Sequence, residues 1–160
     1  MTTIEQMAQI LEDAADLYQA EQVNWCAGAW YKDDNGDSDG SNLKPGSALS
    51  VCASTALGMA AGLGVLVPEF LEDNGSRARP DLSTEEEGWH WAYVWTEEDV
   101  QRYKNTRALL EGRLEQRLPE FNDAAERDVL DGEAVPLRTK QEIIDLFKDT
   151  AKELRNANQG

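Results

Sequence analysis

Between Pro45 and Pro68 the chain runs for 24 residues without a charged side chain, in a sequence that is 29% Asp, Glu, Lys and Arg. A helix uncharged all round has no face to offer water and belongs in an interior. Read this way, the stretch forms a helix from about Ser47 to Leu66, ended by Pro68, with Cys52 near its start. Its small residues let neighbouring backbones approach, so it should be the hub on which the rest packs. The stretch is long enough to cross a bilayer. However, Gly58, Gly62, Gly64 and the Ser and Thr residues keep its hydropathy low, and Lys44 is its only nearby cation, so no membrane association is expected. Met1-Thr2-Thr3-Ile4-Glu5 lacks the basic region and apolar run of a signal peptide.

Two other kinds of pattern surround this hub. Thr3 with Gln6 reads as a capping box, followed by a helix of about 17 residues with Ile4, Met7, Ala8, Leu11, Ala14, Ala15 and Tyr18 on one stripe. Thr96 with Asp99 opens a second amphipathic helix carrying Val100, Tyr103, Leu110, Leu114 and Leu118 as far as Pro119. Thr139 with Glu142 opens a third, with Ile143, Ile144, Phe147, Ala151 and Leu154, fraying from Asn156. Residues 25–31 and 89–95 read as a small β element. In the second of these, Trp89, Trp91, Tyr93 and Trp95 put an aromatic at every other position, the period of a strand. Glu69 to Glu87, with Asn74-Gly75 and Pro80 as breakers, reads as irregular, and Phe121 to Pro136 as a connection. The expected fold is mainly α: a single domain over residues 1–160 with a central uncharged helix, three or more amphipathic helices and a small β element.

Charge narrows the function classes. The formal net charge is −16, distributed as −7 over residues 1–44, −8 over 69–100, +3 over 101–118 and −4 over 119–160. Affinity for nucleic acid comes from Lys and Arg neutralising phosphate, so neither direct nucleic-acid binding nor attachment to an anionic membrane is expected. An acidic surface does permit association with a basic protein surface. Arg102, Lys104, Arg107, Arg113 and Arg117 form the basic region, whose first task is to neutralise acidic segments of this chain or of a second copy. Two cysteines without a secretory signal point to free thiols in a reducing cytoplasm.

Several constellations suggest chemistry. Cys52, His90 and Asn122 follow the order nucleophile, base, orienter of a cysteine hydrolase, and a thiol at a helix start has its pKa lowered. Against this, a Cys within an apolar small-residue helix is normally a compact core residue, and that is the preferred reading. Cys26 and Cys52 can also pair, although two buried thiols suit the cytoplasm better. Asp33, Asn35, Asp37 and Asp39 with Gly40 imitate a calcium loop, but neither register supplies the bidentate Glu that the loop needs. Zinc would require Cys26, Cys52, His90 and a carboxylate to converge without ligand spacing. No metal and no cofactor is expected. Trp89, Trp91, Tyr93 and Trp95, with Arg102 and Arg107, are the candidate partner-binding residues, because aromatics and Arg concentrate binding energy. Asp123 with Arg138 is an expected structural ion pair.

Four short pieces carry a resemblance: Trp25-Cys26-Ala27-Gly28, Cys52-Ala53-Ser54-Thr55-Ala56-Leu57, Phe121-Asn122-Asp123, and Arg138-Thr139 before Glu142-Ile143. Together they resemble a family of small proteins of unknown function from actinobacteria and their phages. Thr55 stands where that family usually has Gly, and the segment from Glu69 to about Trp95 is additional to it. The resemblance implies a fold and a biological setting rather than a mechanism. The resulting expectation is a non-enzymatic accessory protein, phage-encoded or prophage-derived and cytoplasmic (in the host cell if phage-encoded), that binds a host or phage protein. The alternatives are the Cys52/His90/Asn122 hydrolase, an acidic DNA mimic and a structural homo-oligomer.

Overall fold

Residues 2–38, 43, 44, 46, 48–73, 87–127 and 134–159 are described by a computed structural model. The first helix, α1 (Ile4–Gln19), opens as its sequence dictates. Thr3 Oγ1 accepts from Gln6 N at 3.0 Å, and Thr3 N donates to Gln6 Oε1 at 2.8 Å. Its inner stripe buries Ala8, Ile10, Leu11, Ala14, Ala15 and Tyr18. The last helix, α7 (Lys140–Gln159), starts with Glu142 N donating to Thr139 Oγ1 at 3.2 Å and continues past the expected fraying point at Asn156. It packs along α1, burying Ile143, Ile144, Phe147 and Ala151. Arg155 locks this pair. It donates to both carboxylate oxygens of Glu12, at 3.0 and 2.9 Å, and pairs with Glu5.

From Leu49 to Pro68 the uncharged stretch is mostly buried, but it is not one helix. It supplies a strand, a helix and the first turn of another helix. Strand β3 (Ser50–Val51) is the middle of a three-stranded sheet, parallel to β1 (Asn24–Trp25) and antiparallel to β2 (Tyr31–Lys32). Tyr18 O–H donates to Val51 O at 2.8 Å and ties α1 to this strand. Cys52, with extended backbone, is the N-cap of α2 (Ala53–Ala60), in which Ala53 to Gly58 are all buried. The helix stops where Gly62 takes a φ of +100°, a conformation open to glycine and costly for other residues. Pro68 does not end a helix. It lies in the first turn of α3 (Val67–Asp73), where a missing N–H costs nothing. Residues 69–73 are therefore helical rather than irregular, and the breakers Asn74-Gly75 and Pro80 fall outside the described residues.

The aromatic segment is the second correction. Residues 87–92 form α4 (Glu87–Ala92), not a strand. The buried residue there is the small one, Ala92 at 0% exposed, while Trp91, Tyr93 and Trp95 are half-buried. Main chain packs directly on main chain at this point: Gly64 N donates to Val94 O at 2.6 Å, and Leu66 N to Ala92 O at 2.8 Å. Close approach between backbones, not a pleat, sets where the aromatics go.

Helix α5 (Glu97–Leu114) begins with Asp99 N donating to Thr96 Oγ1 at 3.1 Å and ends at Glu115, whose φ is 57°. The spacing of Leu110, Leu114 and Leu118 predicts a helix on to Pro119. Instead Pro119 sits in the first turn of a separate short helix, α6 (Leu118–Asn122), and Leu118 N donates to the Glu111 carboxylate at 2.6 Å. A hairpin of β4 (Ala125–Arg127) and β5 (Ala134–Pro136) then leads to α7. The arginines of α5 and the following turn pair with this chain's own carboxylates. Arg107 pairs with Glu72 and Glu111, Arg117 with Glu72 at 2.8 Å, Arg102 with Glu98 and Asp99, and Arg113 with Glu153 at 2.8 Å. The fold is mainly α, with one small three-stranded sheet and a separate two-stranded one among the described residues. Among the described residues no helix is long and apolar enough to cross a membrane.

Candidate functional site

Three of the four motif pieces, distant in sequence, meet at one buried side chain, and the fourth packs on the residue before it. Asn122, 0% exposed, ends α6 and uses its whole amide. Its Oδ1 accepts from Trp25 Nε1 at 2.7 Å and from Ala53 N, the first amide of α2, at 2.9 Å. Its Nδ2 donates to Cys26 O at 3.1 Å and to Asp123 Oδ1 at 2.8 Å. An Asn side chain has two lone pairs and two N–H groups to satisfy, and here all four are satisfied. Asp123 Oδ1 also accepts from Gly28 N at 2.9 Å, and Gly28 has a φ of +80°. The loop after β1, the start of α2 and the end of α6 are thus joined through two adjacent side chains.

Arg138 completes the convergence by a different route from the expected one. It does not pair with Asp123. Its Nε donates to Phe121 O at 3.2 Å, its guanidinium lies 4.0 Å from the Phe121 ring centroid, and Glu142 is 3.5 Å away. Asp123 is already held by main-chain and amide donors. The planar Arg group stacks on the aromatic face presented to it.

The thiols beside this node are buried, at 7% exposed for Cys26 and 4% for Cys52, and both are free. Cys26 Sγ contacts Ala29 O at 3.6 Å, and Cys52 Sγ lies 3.5 Å from Thr55 Oγ1. Burial, and then the neighbouring Cys52, push the Cys26 thiol up to about 12 from its ordinary 9.0. Burial also raises Cys52, with the Thr55 and Ser54 contacts opposing it in part. The helix start was expected to lower this thiol's pKa, but desolvation outweighs it. Burial raises the hydroxyls of Tyr18 and Tyr103 as well.

These shifts fix a pH dependence. A thiol whose pKa is raised by folding contributes stability that is complete below pH 9 and is lost as pH rises toward 12. The loss for Cys26 is at most about 1.4 kcal/mol per pH unit, an upper bound because the thiol keeps some hydration. The melting temperature should be flat from pH 7 to about 8.5 and fall steeply above that, and the fall should be shallower in Cys26→Ser. A curve for Cys26→Ser parallel to that of the wild type up to pH 11 would contradict this assignment.

The remaining candidates lie elsewhere. His90 is exposed on α4, whereas Cys52 faces Thr55 in the interior. Asn122, the third member of the candidate triad, holds main chain. Trp91 and Val94 line a cleft of about 280 Å³ with Met59, Gly62, Leu63, Gly64 and Val65. Trp95 stacks on Phe70, with centroids 6.0 Å apart. The side chain of Trp89 lies outside the described residues. Arg107 is 7% exposed and paired, and Arg102 is paired on the surface. Asp33, read as part of a solvated turn, is 6% exposed and accepts from Asn35 N and Asp37 N; residues 39–42 of that loop are outside the described set. No group of three or more His, Cys, Asp or Glu among the described residues is placed to hold a metal ion. Sequence reading missed Tyr18 as a polar tie and Phe121 as the seat of Arg138. The Phe-Asn-Asp run held the signal for the second.

No curated protein and no solved structure matches the chain. Residues 2–153 match the family model of DUF6197, a family of unknown function, and the chain belongs to that family.

Proposed function

We propose that this is a non-enzymatic accessory protein, phage-encoded or prophage-derived and cytoplasmic, that acts by binding a host or phage protein. The observation that carries the reading is the use made of the motif residues. The polar groups of Asn122 and Asp123 described above bond to the fold's own backbone, Trp25 Nε1 and each other. A motif spent on building the fold leaves recognition to the surface. There the cleft lined by Trp91, Val94 and Met59 offers apolar contact, and half-buried aromatics are favourable anchors for a protein partner. The excess of carboxylates favours a basic partner surface over a polyanion. The four-piece resemblance supports the actinobacterial and phage setting, and the two free thiols suit a reducing compartment.

The test is cross-linking capture of the full chain in an actinobacterial lysate, comparing wild type, Trp91→Glu and Cys52→Ala. The expected result is one protein captured by wild type and Cys52→Ala, and reduced at least about tenfold by Trp91→Glu, the loss of one interface anchor. Equal capture by Trp91→Glu would remove the cleft from the reading. Rapid alkylation of native Cys52 by iodoacetamide would favour the hydrolase instead.

A further inference from the structure

We propose that Cys26 and Cys52 form a reversible intrachain disulfide in this fold, with a low-molecular-weight disulfide as the oxidant. Two geometric observations place the thiols together. In the parallel pairing of β1 with β3, Trp25 stands opposite Val51, and Cys26 N extends the ladder by donating to Val51 O at 3.2 Å. The regular ladder ends there, because Ala53 N and Cys26 O, which a further rung would join, each bond to the Asn122 amide instead; Cys26 and Cys52 are the residues that directly follow the last pair, where the two strands begin to part. At the last pair, Trp25 with Val51, parallel strands lie about 4.8 Å apart, and the two cysteines are each one residue further along. A disulfide needs Cα atoms roughly 4.4–6.8 Å apart. The second observation is the Asn122 amide, which bonds both Cys26 O and Ala53 N, at 3.1 and 2.9 Å. One side chain thus spans the main chain of both cysteine positions. The electrostatic influence of Cys52 on Cys26 agrees with this placement.

Cys26 is the more exposed of the two thiols and would react first. Its thiolate, having released a proton to solvent, attacks one sulfur of the small disulfide. A mixed disulfide forms and the first small thiolate leaves. Cys52, also deprotonated, attacks Cys26 Sγ, forms the Cys26–Cys52 bond and expels the second small thiolate. The two leaving thiolates take up the two protons. Two protein thiols are oxidised and one small disulfide is reduced to two thiols. The bond would staple the end of β1 to the start of α2, alongside the Asn122 node.

The two thiols are buried, so exchange waits on opening of the fold, and an equilibrium measurement is the appropriate one. The full chain is equilibrated with reduced and oxidised glutathione at a series of ratios, in native buffer and in concentrated urea. It is then quenched in acid, alkylated under denaturing conditions and mapped by mass spectrometry. If the fold holds the sulfurs adjacent, the intrachain bond should form in native buffer at a ratio at least about tenfold less oxidising than in urea, because closing the loop has already been paid in the fold. The near-UV circular dichroism of the oxidised protein should remain native. Equal ratios in the two buffers, single glutathione adducts or interchain bonds in place of the Cys26–Cys52 link, or a bond that erases the native spectrum would each overturn the proposal.

Discussion

Asn122→Ala should destabilise the protein by about 4 kcal/mol, because it strands several buried groups at once. Ala53 N, Trp25 Nε1 and Cys26 O each lose their Asn122 partner, at 2.9, 2.7 and 3.1 Å in the intact protein. A buried donor or acceptor left unpaired costs about 1–3 kcal/mol, and the losses at one node are not additive. In a domain of this size the melting temperature should fall by about 10 °C. Asn122→Asp separates the two halves of the amide's role. It keeps the acceptor for Trp25 and Ala53 but loses the donor to Cys26 O and sets a second carboxyl against Asp123 Oδ1. Buried beside acceptors, the introduced carboxyl should have its pKa raised. A group raised on folding supports stability below its unfolded pKa, near 4, and withdraws that support as pH climbs. Asn122→Asp should therefore approach wild type as pH is lowered from 7 to 5, whereas Asn122→Ala should not. Thermal melts of both variants at pH 5 and pH 7 provide the check. A loss below about 1 kcal/mol for Asn122→Ala would mean that water replaces the amide and that the node does not hold the fold.

What the sequence conveyed depended on how local the cause was. Caps act over four residues, so the Thr3–Gln6 box could be read directly, as could the stripe on α1; at Thr139 the expected box is half made, with Glu142 N on Thr139 Oγ1 and the Glu142 carboxylate toward Arg138. Burial of the uncharged stretch was legible because it follows from composition. Its subdivision into β3, α2 and α3 was not, because Ser50-Val51 becomes a strand only through pairing with Asn24-Trp25 and Tyr31-Lys32. Two residues carry no period of their own. The aromatic alternation at 89–95 misled for a related reason. Its spacing is that of a strand, but the conformation is decided by Gly64 and Leu66 pressing on the backbone of residues 91–94. The site was legible as four fragments and not as a node. The sequence separations of 97 between Trp25 and Asn122 and 69 between Ala53 and Asn122 place those bonds beyond any local pattern. Arg138 was rightly singled out and wrongly paired. A charge match suggested Asp123, while Gly28 N and the Asn122 amide had already claimed that carboxylate.

Alanine at three glycines should separate packing from propensity, with Gly64→Ala the most damaging. A Cβ at Gly64 would stand 2.7 Å from Ala92 O, Trp91 O and Val94 N, all of them backbone atoms. No side chain can rotate out of the way, so the two segments must part, straining the bonds from Gly64 N to Val94 O and from Leu66 N to Ala92 O. Overpacking costs about 1–3 kcal/mol where side chains can adjust. Here the expected loss is at or above the top of that range, with a fall in melting temperature of about 8 °C or more. At Gly58 the added Cβ would lie 2.5 Å from Pro68 Cγ, the outer edge of a ring that can repucker. Alanine's helical advantage of about 1 kcal/mol offsets part of that clash, so Gly58→Ala should cost less than Gly64→Ala. At Gly112, on α5, nothing lies within 4 Å of the added carbon. Gly112→Ala should therefore stabilise, by about 0.5–1 kcal/mol, through reduced freedom of the unfolded chain and better helix propensity. Urea unfolding of the three variants gives the order directly. If Gly64→Ala proves no worse than Gly58→Ala, the aromatic segment does not dock on Gly64 through its main chain. In that case the cleft between Met59 and Trp91 loses the contact that shapes it.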